Sequence, residues 1–225
     1  MIISRTPLRV SFAGGGTDIG DYYRTGHGAV VSCTIKKYVY VTVNKRFDDE
    51  IRVSYSKTEI ADSVDKIEHG LVREALRKTG IRNGIEITTI ADIPSRGTGL
   101  GSSSAITVGL LNALYAFKGH RAGPKKLAEE ACEIEINALK EPIGKQDQYI
   151  AAYGGIQHIR FNADETVALE PVICPAKTKR EIENRLMLFY TGKTRQAKDI
   201  LSKQRKNSSA NKQVLDKMRD QADRL

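Results

Sequence analysis

Apolar and polar residues alternate over several short stretches of this chain, with the period of two that is typical of half-buried β-strands. The clearest examples are residues 2–12 and 38–44. The predicted strands cover residues 2–12, 29–35, 38–44, 51–55, 85–90, 156–161, 167–172 and 186–190. We expect residues 36–37, which are both lysines, to connect two of these strands.

A spacing of apolar residues near 3.6 indicates amphipathic helices over 65–80 and 125–140, and Gly80 is placed to end the first of them. Residues 105–117 form an apolar run of helical length. The last part of the chain is helical again. Its apolar stripe contains Val214, Met218, Ala222 and Leu225. Because this stripe continues to the last residue, we expect it to need a partner on a further segment or on another subunit.

A loop dense in glycine and hydroxyl groups separates the strand at 85–90 from the helix at 105–117. It carries glycines at positions 97, 99 and 101, followed by serines at 102–104. Glycine lets the backbone approach a ligand closely, and the amides and dipole of a helix N-terminus attract phosphate. We therefore favour a phosphate-binding loop over a flexible turn with a serine cap. The spacing fits neither a Walker A loop, which needs a lysine after its last glycine, nor a Rossmann fingerprint.

The composition is typical of a globular protein, since 40% of the 225 residues are hydrophobic and 28% are charged. The first residues lack the apolar core of a secretion signal, and the longest apolar run is too short to span a bilayer. The three cysteines are far apart in the sequence, which indicates reduced thiols and no zinc cluster. We expect a cytoplasmic protein with no membrane partner.

The net charge of +9 is concentrated at the end of the chain, where residues 176–225 carry 14 lysines and arginines against 6 aspartates and glutamates. Such a segment can bind nucleic acid, but it is more often the solvated face of a helix. The last aromatic residue is Tyr190, so nothing beyond it supports stacking on bases. We expect no nucleic-acid partner.

Four charged residues are candidates for chemistry, and each has a plainer alternative. Arg9 lies on the polar face of its strand, where arginine is ordinarily solvated. Asp18 follows three glycines that leave room for a ligand, but it can also cap a short helix. Asp147 begins an apolar segment, which suits either a desolvated base or a helix cap. Glu135 lies next to an apolar stripe, so it is the glutamate of its helix least certain to face water.

Three segments of the chain together resemble the GHMP sugar-kinase family. They are TPLRVSFAGGGTD (6–18), PSRGTGLGSSSA (94–105) and GKQDQ (144–148). They are similar to the family's substrate-side motif, its phosphate loop and the segment that carries its catalytic aspartate, in the family's order and spacing. The resemblance covers essentially the whole chain and is greatest to the branch that phosphorylates D-glycero-D-manno-heptose 7-phosphate.

The resemblance implies an α+β fold, with a mixed sheet, helices on one side of it and a ribosomal-protein-like βαβ arrangement. Residues 1–175 would form the GHMP kinase N-terminal domain, which binds ATP and sugar. Residues 176–225 would be the start of a C-terminal domain that is incomplete here, because the third glycine-rich motif of the family is not found in this sequence.

The resemblance also implies roles for individual residues. Asp147 would accept or orient the proton of the sugar hydroxyl, and Arg9 would stabilise the transferring phosphoryl group and keep Asp147 ionised. Ser103 and Glu135 would bind Mg²⁺; the twelve positions from Glu135 to Asp147 agree with the galactokinase-like branch. The residues that would wrap the ATP phosphates are Gly97, Thr98, Gly99, Leu100, Gly101, Ser102 and Ser103. The residues that would bind the sugar are Gly15, Gly16, Thr17 and Asp18.

The implied activity is ATP- and Mg²⁺-dependent phosphorylation of the anomeric hydroxyl of a sugar phosphate, most simply a heptose 7-phosphate, by a protein that can form a homodimer. Lys145, Arg96 and Arg195 are candidates for binding the sugar's own phosphate, although ordinary exposed cations are the plainer interpretation. Two other functions stay open here. One is a galactokinase- or fucokinase-like activity, and the other is a non-catalytic sensor of sugar or nucleotide on the same scaffold.

Overall fold

The computed structural model describes residues 1–94, 98–189 and 211–225. Within these ranges the chain forms one mixed sheet of seven strands with helices packed on it, so the α+β class predicted from the sequence is confirmed. In the same ranges, no helix has both the length and the apolar character needed to cross a bilayer.

The elements, in chain order, have the following bounds. The strands are β1 (Ile2–Ala13), β2 (His27–Lys45), β3 (Ile51–Ser54), β4 (Thr58–Ala61), β5 (Ile85–Ala91), β6 (Ile156–Asn162) and β7 (Val167–Pro171). The helices are α1 (Gly20–Tyr23), α2 (Gly70–Thr79), α3 (Ser102–Phe117), α4 (Pro124–Cys132), α5 (Gln146–Tyr153), α6 (Ala176–Arg185) and α7 (Lys212–Arg224). A 3₁₀ turn (Val64–Lys66) precedes α2, and a π-helix (Glu133–Ala138) follows α4.

The 19-residue strand β2 is the centre of the sheet. β1 pairs along one edge of it, while β5 and β6 share the other edge end to end. The prediction of two separate strands at 29–35 and 38–44 is wrong. Pro7 pairs with Tyr38 and Leu8 with Ile35, so the two lysines between them form a bulge opposite β1 and the ladder continues past it.

The main core lies between one face of the sheet and helices α2, α3 and α4. α3 is buried along most of its length, which explains the unbroken apolar run in its sequence. Gly109 lets the helix approach the sheet closely, because a Cβ there would lie 2.8 Å from Thr6 Oγ1. Ser4 Oγ donates a hydrogen bond of 2.8 Å to the Gly109 carbonyl. Packing of α3 on β1 therefore places the end of β1 beside the loop that precedes α3.

Residues 28–33 of β2 are buried on both faces of the sheet, whereas burial alternates over 39–43. Val30 packs with side chains of α4 and α5, while Ala29 and Val31 pack against Ala222 of α7. Because successive residues of a strand point to opposite faces, α7 lies on the face opposite α4 and α5.

Helix α7 therefore has a partner within the chain, which corrects the expectation that its stripe needs one from outside. Of the predicted stripe, Val214 and Leu225 are 57% and 73% exposed, whereas Ala222 is buried. Leu215, which was not part of the predicted stripe, is also buried. The face of α7 that packs on the sheet therefore carries Leu215 and Ala222, and Ala222 lies in a buried cluster with Ala29 and Val31 of β2. The domain boundary at 175 stays a prediction, although α7 packs on the sheet of the first segment.

The prediction of a single amphipathic helix over residues 65–80 is wrong, because a 3₁₀ turn and then α2 occupy this stretch. Glu59 of β4, a strand that the sequence did not predict, accepts hydrogen bonds from the backbone amides of Glu68 and His69. Those amides cannot then join a helical ladder, so α2 begins only after His69. Gly80 ends α2 in the left-handed conformation, with φ +70°, as predicted.

The buried strand predicted at 186–190 is also wrong over the residues that the structure describes. Leu186 to Phe189 are not in a strand, and each is more than half exposed. Tyr190 lies outside the described residues. We expected burial because the run is apolar. Burial also needs a packing partner, and hydrophobicity alone does not show whether one is present.

Candidate active site

Arg9 of β1 and Asp147 of α5 form an ion pair at the end of β1. Arg9 Nε donates to Asp147 Oδ1 at 2.7 Å, and Nη2 donates to Oδ2 at 2.8 Å. The side chains are 15% and 23% exposed, and the bidentate geometry fixes both orientations. The plainer interpretations do not hold, because Arg9 is not simply solvated and Asp147 lies within the first turn of α5 without capping it.

The glycine loop lies directly against this pair. The Arg9 backbone N–H donates to the Leu100 carbonyl at 3.1 Å, and Arg9 Nη1 donates to the Gly99 carbonyl at 2.7 Å. Gly101 has a φ of +73°, which favours glycine. A Cβ on Gly101 would lie 3.2 Å from Asp147 Oδ2 and 3.3 Å from Arg9 Cγ. Residue 101 must therefore be small for the loop and the pair to meet.

The loop leads into the N-terminus of α3, which begins at Ser102. Gly101 is the N-cap residue and no side chain caps the helix, so the amides of the first turn have no competing side-chain acceptor there. Thr98 Oγ1 is buried without a hydrogen-bond partner among the described residues. Gly97, the first residue of the predicted phosphate loop, lies outside the described ranges. Uncapped amides beside hydroxyl groups can hold a phosphate.

Glu135 is a fully buried carboxylate beside this helix start. The helix predicted over 125–140 begins as α4 but continues as the π-helix from Glu133, a rare form that changes the register of the side chains. Glu135 accepts hydrogen bonds from Ser103 Oγ at 2.7 Å and from Gln148 Nε2 at 2.6 Å. In the described part of the chain, no cationic side chain pairs with it.

Burial raises the pKa of the Glu135 carboxyl to about 7. Hydrogen bonds from Ser103, Ser104 and Gln148 favour the charged form and limit the rise in this pKa, whereas the charge of Asp147 adds to it. A carboxyl that is so poorly solvated gains strongly from either a proton or a bound cation.

The sequence reasoning missed Gln148. Its side chain is fully buried, and its Oε1 atom has no hydrogen-bond partner among the residues that the structure describes. A glutamine inside an apolar helical segment was the available signal, because buried amides nearly always have polar partners. Here the Gln148 amide donates to Glu135 Oε2, whereas Ser103 donates to Glu135 Oε1.

The oxygens around Glu135 fit a magnesium ion that phosphate groups also bind. Over the described ranges, no three His, Cys, Asp or Glu side chains converge as a metal site of their own. Mg²⁺ often takes only one or two protein oxygens and completes its octahedron with phosphates and water. The Ser103 hydroxyl and the Glu135 carboxylate, 2.7 Å apart, are two such oxygens.

The first glycine-rich stretch forms a turn between β1 and α1. Thr17 is fully buried; its hydroxyl donates to the Gly14 carbonyl at 2.8 Å and accepts from the Ala29 N–H at 3.1 Å. Thr17 therefore holds the turn against β2. Gly15 faces open space, since a Cβ there would meet no atom within 4 Å, and Gly16 adopts a φ of +90°.

Asp18 ties this turn to α5 instead of capping α1. Its carboxylate is 3% exposed and accepts hydrogen bonds from the backbone amides of Gly16 at 3.2 Å and Gln146 at 3.1 Å. Burial, and then the charge of Asp147, raises the pKa of Asp18 to about 6. The structure thus brings both glycine-rich stretches and the Arg9–Asp147 pair into one region.

Comparison with known proteins shows what this chain is similar to. Residues 62–155 match the family described as the GHMP kinases N terminal domain. The chain is 33% identical over 214 residues to the D-glycero-alpha-D-manno-heptose 7-phosphate kinase of Campylobacter jejuni subsp. jejuni serotype O:2, a match that covers 88% of this chain and 62% of that protein. Residues 62–155 are therefore similar to the N-terminal domain of GHMP kinases. The matched domain contains the glycine loop, Glu135 and Asp147, whereas Arg9 and Asp18 precede it.

A solved structure and a second curated protein are also similar to this chain. The crystal structure of a D-glycero-D-manno-heptose 1-phosphate kinase from Bacteroides thetaiotaomicron superposes with a TM-score of 0.79 at 27% identity, covering 96% of this chain and 73% of that one. The L-fucokinase/L-fucose-1-P guanylyltransferase of Bacteroides fragilis is 27% identical over 266 residues, covering 99% of this chain and 27% of that protein. The chain therefore spans 62% and 27% of the lengths of these two curated relatives.

Proposed function

We propose that this protein is a GHMP kinase that transfers the γ-phosphoryl group of ATP to the anomeric hydroxyl of D-glycero-D-manno-heptose 7-phosphate. The observation that carries the proposal is the contact between the Arg9–Asp147 pair and Gly101, at the uncapped start of α3. Phosphoryl transfer depends on positioning and charge neutralisation more than on covalent chemistry, and these groups supply both.

The glycine loop would hold the triphosphate. Its backbone amides and hydroxyls surround a helix N-terminus whose dipole favours anions. The buried Thr98 hydroxyl is a polar group that a phosphate oxygen would satisfy. The residues assigned to the ATP phosphates are Gly97, Thr98, Gly99, Leu100, Gly101, Ser102 and Ser103.

Asp147 would receive or orient the proton of the attacking sugar hydroxyl. Each Asp147 carboxylate oxygen has two lone pairs, and Arg9 uses one lone pair on each oxygen. Each oxygen can therefore accept a further hydrogen bond from a substrate. Arg9 would act as a fixed cation near the charge that develops on the transferring group. Its hydrogen bond to the Gly99 carbonyl connects this cation to the phosphate loop.

Ser103 and Glu135 would hold Mg²⁺, which when bound neutralises negative charge on the triphosphate. The chain's part is to present a carboxylate where a cation is needed. The π-helix turns Glu135 toward the start of α3, and Gln148 fixes its second oxygen. Because burial makes the free carboxylate costly, Glu135 is poised to bind a cation or a proton.

Gly15, Gly16 and Asp18 would face the sugar, with Thr17 fixing the turn that carries them. Each Asp18 oxygen accepts one backbone amide and keeps a second lone pair that a sugar hydroxyl can use. A heptose phosphate as acceptor is supported by two relatives, one called a heptose 7-phosphate kinase and the other a heptose 1-phosphate kinase. The two names differ in the phosphate position, so the test must locate the phosphate that the enzyme adds.

A panel of acceptors tests this function. ADP release by the full-length protein is measured with ATP, Mg²⁺ and, in turn, heptose 7-phosphate, unphosphorylated heptose, galactose and fucose, and ³¹P NMR locates the new phosphate. We expect kcat/KM to be highest for heptose 7-phosphate, by roughly tenfold or more, with the product phosphorylated at the anomeric oxygen. A preference for galactose or fucose would show that the acceptor is that sugar and not a heptose phosphate. ATP binding without ADP release in the presence of any of these sugars would indicate a sensor.

A further inference from the structure

A pocket of about 230 Å³ lies between α1 and residues 140–145, which lead into α5. Asp18 lines it and also accepts the Gln146 amide, one residue before Asp147. The pocket therefore adjoins the acceptor side of the proposed site. It is smaller than the roughly 300–1,000 Å³ of sites for drug-sized ligands, which suits one end of a monosaccharide.

The pocket wall carries charges of both signs. Its cationic residues are Arg24, Lys140 and Lys145, and its acidic residues are Asp18, Asp21 and Glu141. Cations bind phosphate oxygens, whereas carboxylates accept hydrogen bonds from hydroxyl groups. A free phosphate would meet the carboxylates unfavourably, and a neutral sugar would leave the cations unused. A sugar that carries a phosphate uses both kinds of group.

Two of the cations are held in place by Glu165, between β6 and β7. Glu165 accepts hydrogen bonds from Lys145 Nζ at 2.5 Å, Arg24 Nε at 2.6 Å and the Tyr23 hydroxyl at 2.7 Å. The Lys145 side chain is only 14% exposed, and its Nζ lies 5.0 Å from the centre of the Tyr23 ring. These contacts fix Lys145 and Arg24 at the pocket wall.

Lys140 differs from the other two cations. In the described part of the chain it forms no ion pair, and it lies where the π-helix gives way to the segment before α5. An unpaired cation beside two fixed ones is able to meet a phosphate that enters the pocket.

The geometry points to this pocket as the binding site for the phosphate that the acceptor sugar already carries, with Lys140, Lys145 and Arg24 as its ligands. The inference rests on the proposed function and adds the residues that select a sugar phosphate over a sugar. Of the three cations that the sequence offered for this role, Lys145 lies in the pocket, while Arg96 and Arg195 lie outside the described residues.

Binding measured without ATP tests the inference separately from catalysis. Calorimetry compares heptose 7-phosphate with unphosphorylated heptose on the full-length protein, on Lys140→Glu, on the charge-conserving Lys140→Arg and on Lys125→Glu, a matched exposed lysine of α4. We expect Lys140→Glu to weaken binding of the phosphorylated sugar by roughly tenfold or more. Binding of the unphosphorylated sugar should stay within about twofold, and Lys140→Arg and Lys125→Glu should resemble the wild type.

Equal losses for both sugars, no loss in Lys140→Glu, or a wild type that does not prefer the phosphorylated sugar would each overturn the inference. Selective binding of heptose 7-phosphate without ADP release would support this pocket and refute the proposed kinase activity. The two claims can therefore fail independently.

Discussion

Arg9 and Asp147 are 138 positions apart in the sequence, yet two hydrogen bonds of 2.7 and 2.8 Å join their charged groups. The contact exists because α3 packs on β1 and α5 lies beside both elements, which brings the end of the strand to the first turn of α5. Two parallel hydrogen bonds between planar groups fix orientation as well as distance. The pair is therefore the part of the site whose geometry is most sensitive to substitution.

Arg9→Lys should lower kcat by roughly ten- to a hundredfold, because lysine keeps the charge but cannot make the bidentate contact. KM for ATP should change little, since the loss falls on the transition state. Steady-state kinetics check this expectation. The control is Arg5→Lys on the same strand, where Arg5 lies over the Tyr38 ring away from the pair. Equal effects of the two substitutions would contradict the assigned role of Arg9.

Gly101→Ala should reduce kcat by more than backbone strain alone would explain. The added Cβ would lie 3.2 Å from Asp147 Oδ2 and 3.3 Å from Arg9 Cγ, so the pair must shift. Gly119→Ala is the matched control, because Gly119 has a similar φ of +77° but open space around its Cβ position. Both variants should lose about 1 kcal/mol of unfolding free energy. If Gly119→Ala lowered kcat as much as Gly101→Ala, steric contact with the pair would not be the cause.

Glu135→Gln should stabilise the ligand-free protein at pH 8 and have little effect near pH 4.5. Because the pKa of Glu135 rises from 4.5 when unfolded to about 7 when folded, the folded state binds its proton more tightly. The resulting stabilisation is fully present below pH 4.5 and is lost as pH rises to about 7. At pH 8 the neutral glutamine should be more stable by on the order of 1–3 kcal/mol.

Denaturant unfolding at the two pH values measures this difference. Glu133→Gln, on the same π-helix but exposed and paired with Lys78, should show no comparable pH dependence. A Glu135→Gln protein that is less stable than the wild type at pH 8 would show that the carboxylate is favourably solvated or paired.

Removal of Mg²⁺ should weaken the stabilisation that ATP gives to the wild type. Glu135 and Ser103 supply the protein oxygens in the proposed site, so chelation by EDTA should reduce the ATP-induced rise in Tm. In Glu135→Gln the rise should be smaller and nearly independent of Mg²⁺. An unchanged Mg²⁺ dependence in this variant, measured by thermal unfolding, would place the ion elsewhere.

Local patterns in the sequence predicted the order of strand, glycine loop and helix around residues 85–117, because periodicity and glycine chemistry act over short distances. They did not predict the continuity of β2 past its two lysines or the break at His69, since pairing with distant residues decides both. The strand expected at 186–190 failed for the same reason, because no packing partner is visible in a local pattern.

Local patterns in the sequence also predicted only part of the candidate site. Taken one at a time, Arg9, Asp18 and Asp147 allowed either a catalytic role or an ordinary surface or capping role. Their assignment to the site depended on the family resemblance. The contacts that join these residues in the structure link positions that are far apart in the sequence, so their spacing alone does not predict the contacts. Gln148 was not predicted because a neutral amide carries no charge that marks it as a candidate, although its buried side chain donates a hydrogen bond of 2.6 Å to Glu135.

The rate of phosphoryl transfer by Asp147→Asn tests the central claim most directly. Asparagine keeps the size of the side chain but cannot take a proton from the acceptor hydroxyl. In single-turnover measurements on the full-length protein, we expect the rate to fall by roughly 10²–10⁴-fold. The dissociation constant for ATP should stay within about threefold, because the phosphate loop is intact. A rate within about threefold of the wild type, with the acceptor sugar saturating, would contradict the role of Asp147 and the mechanism built on it.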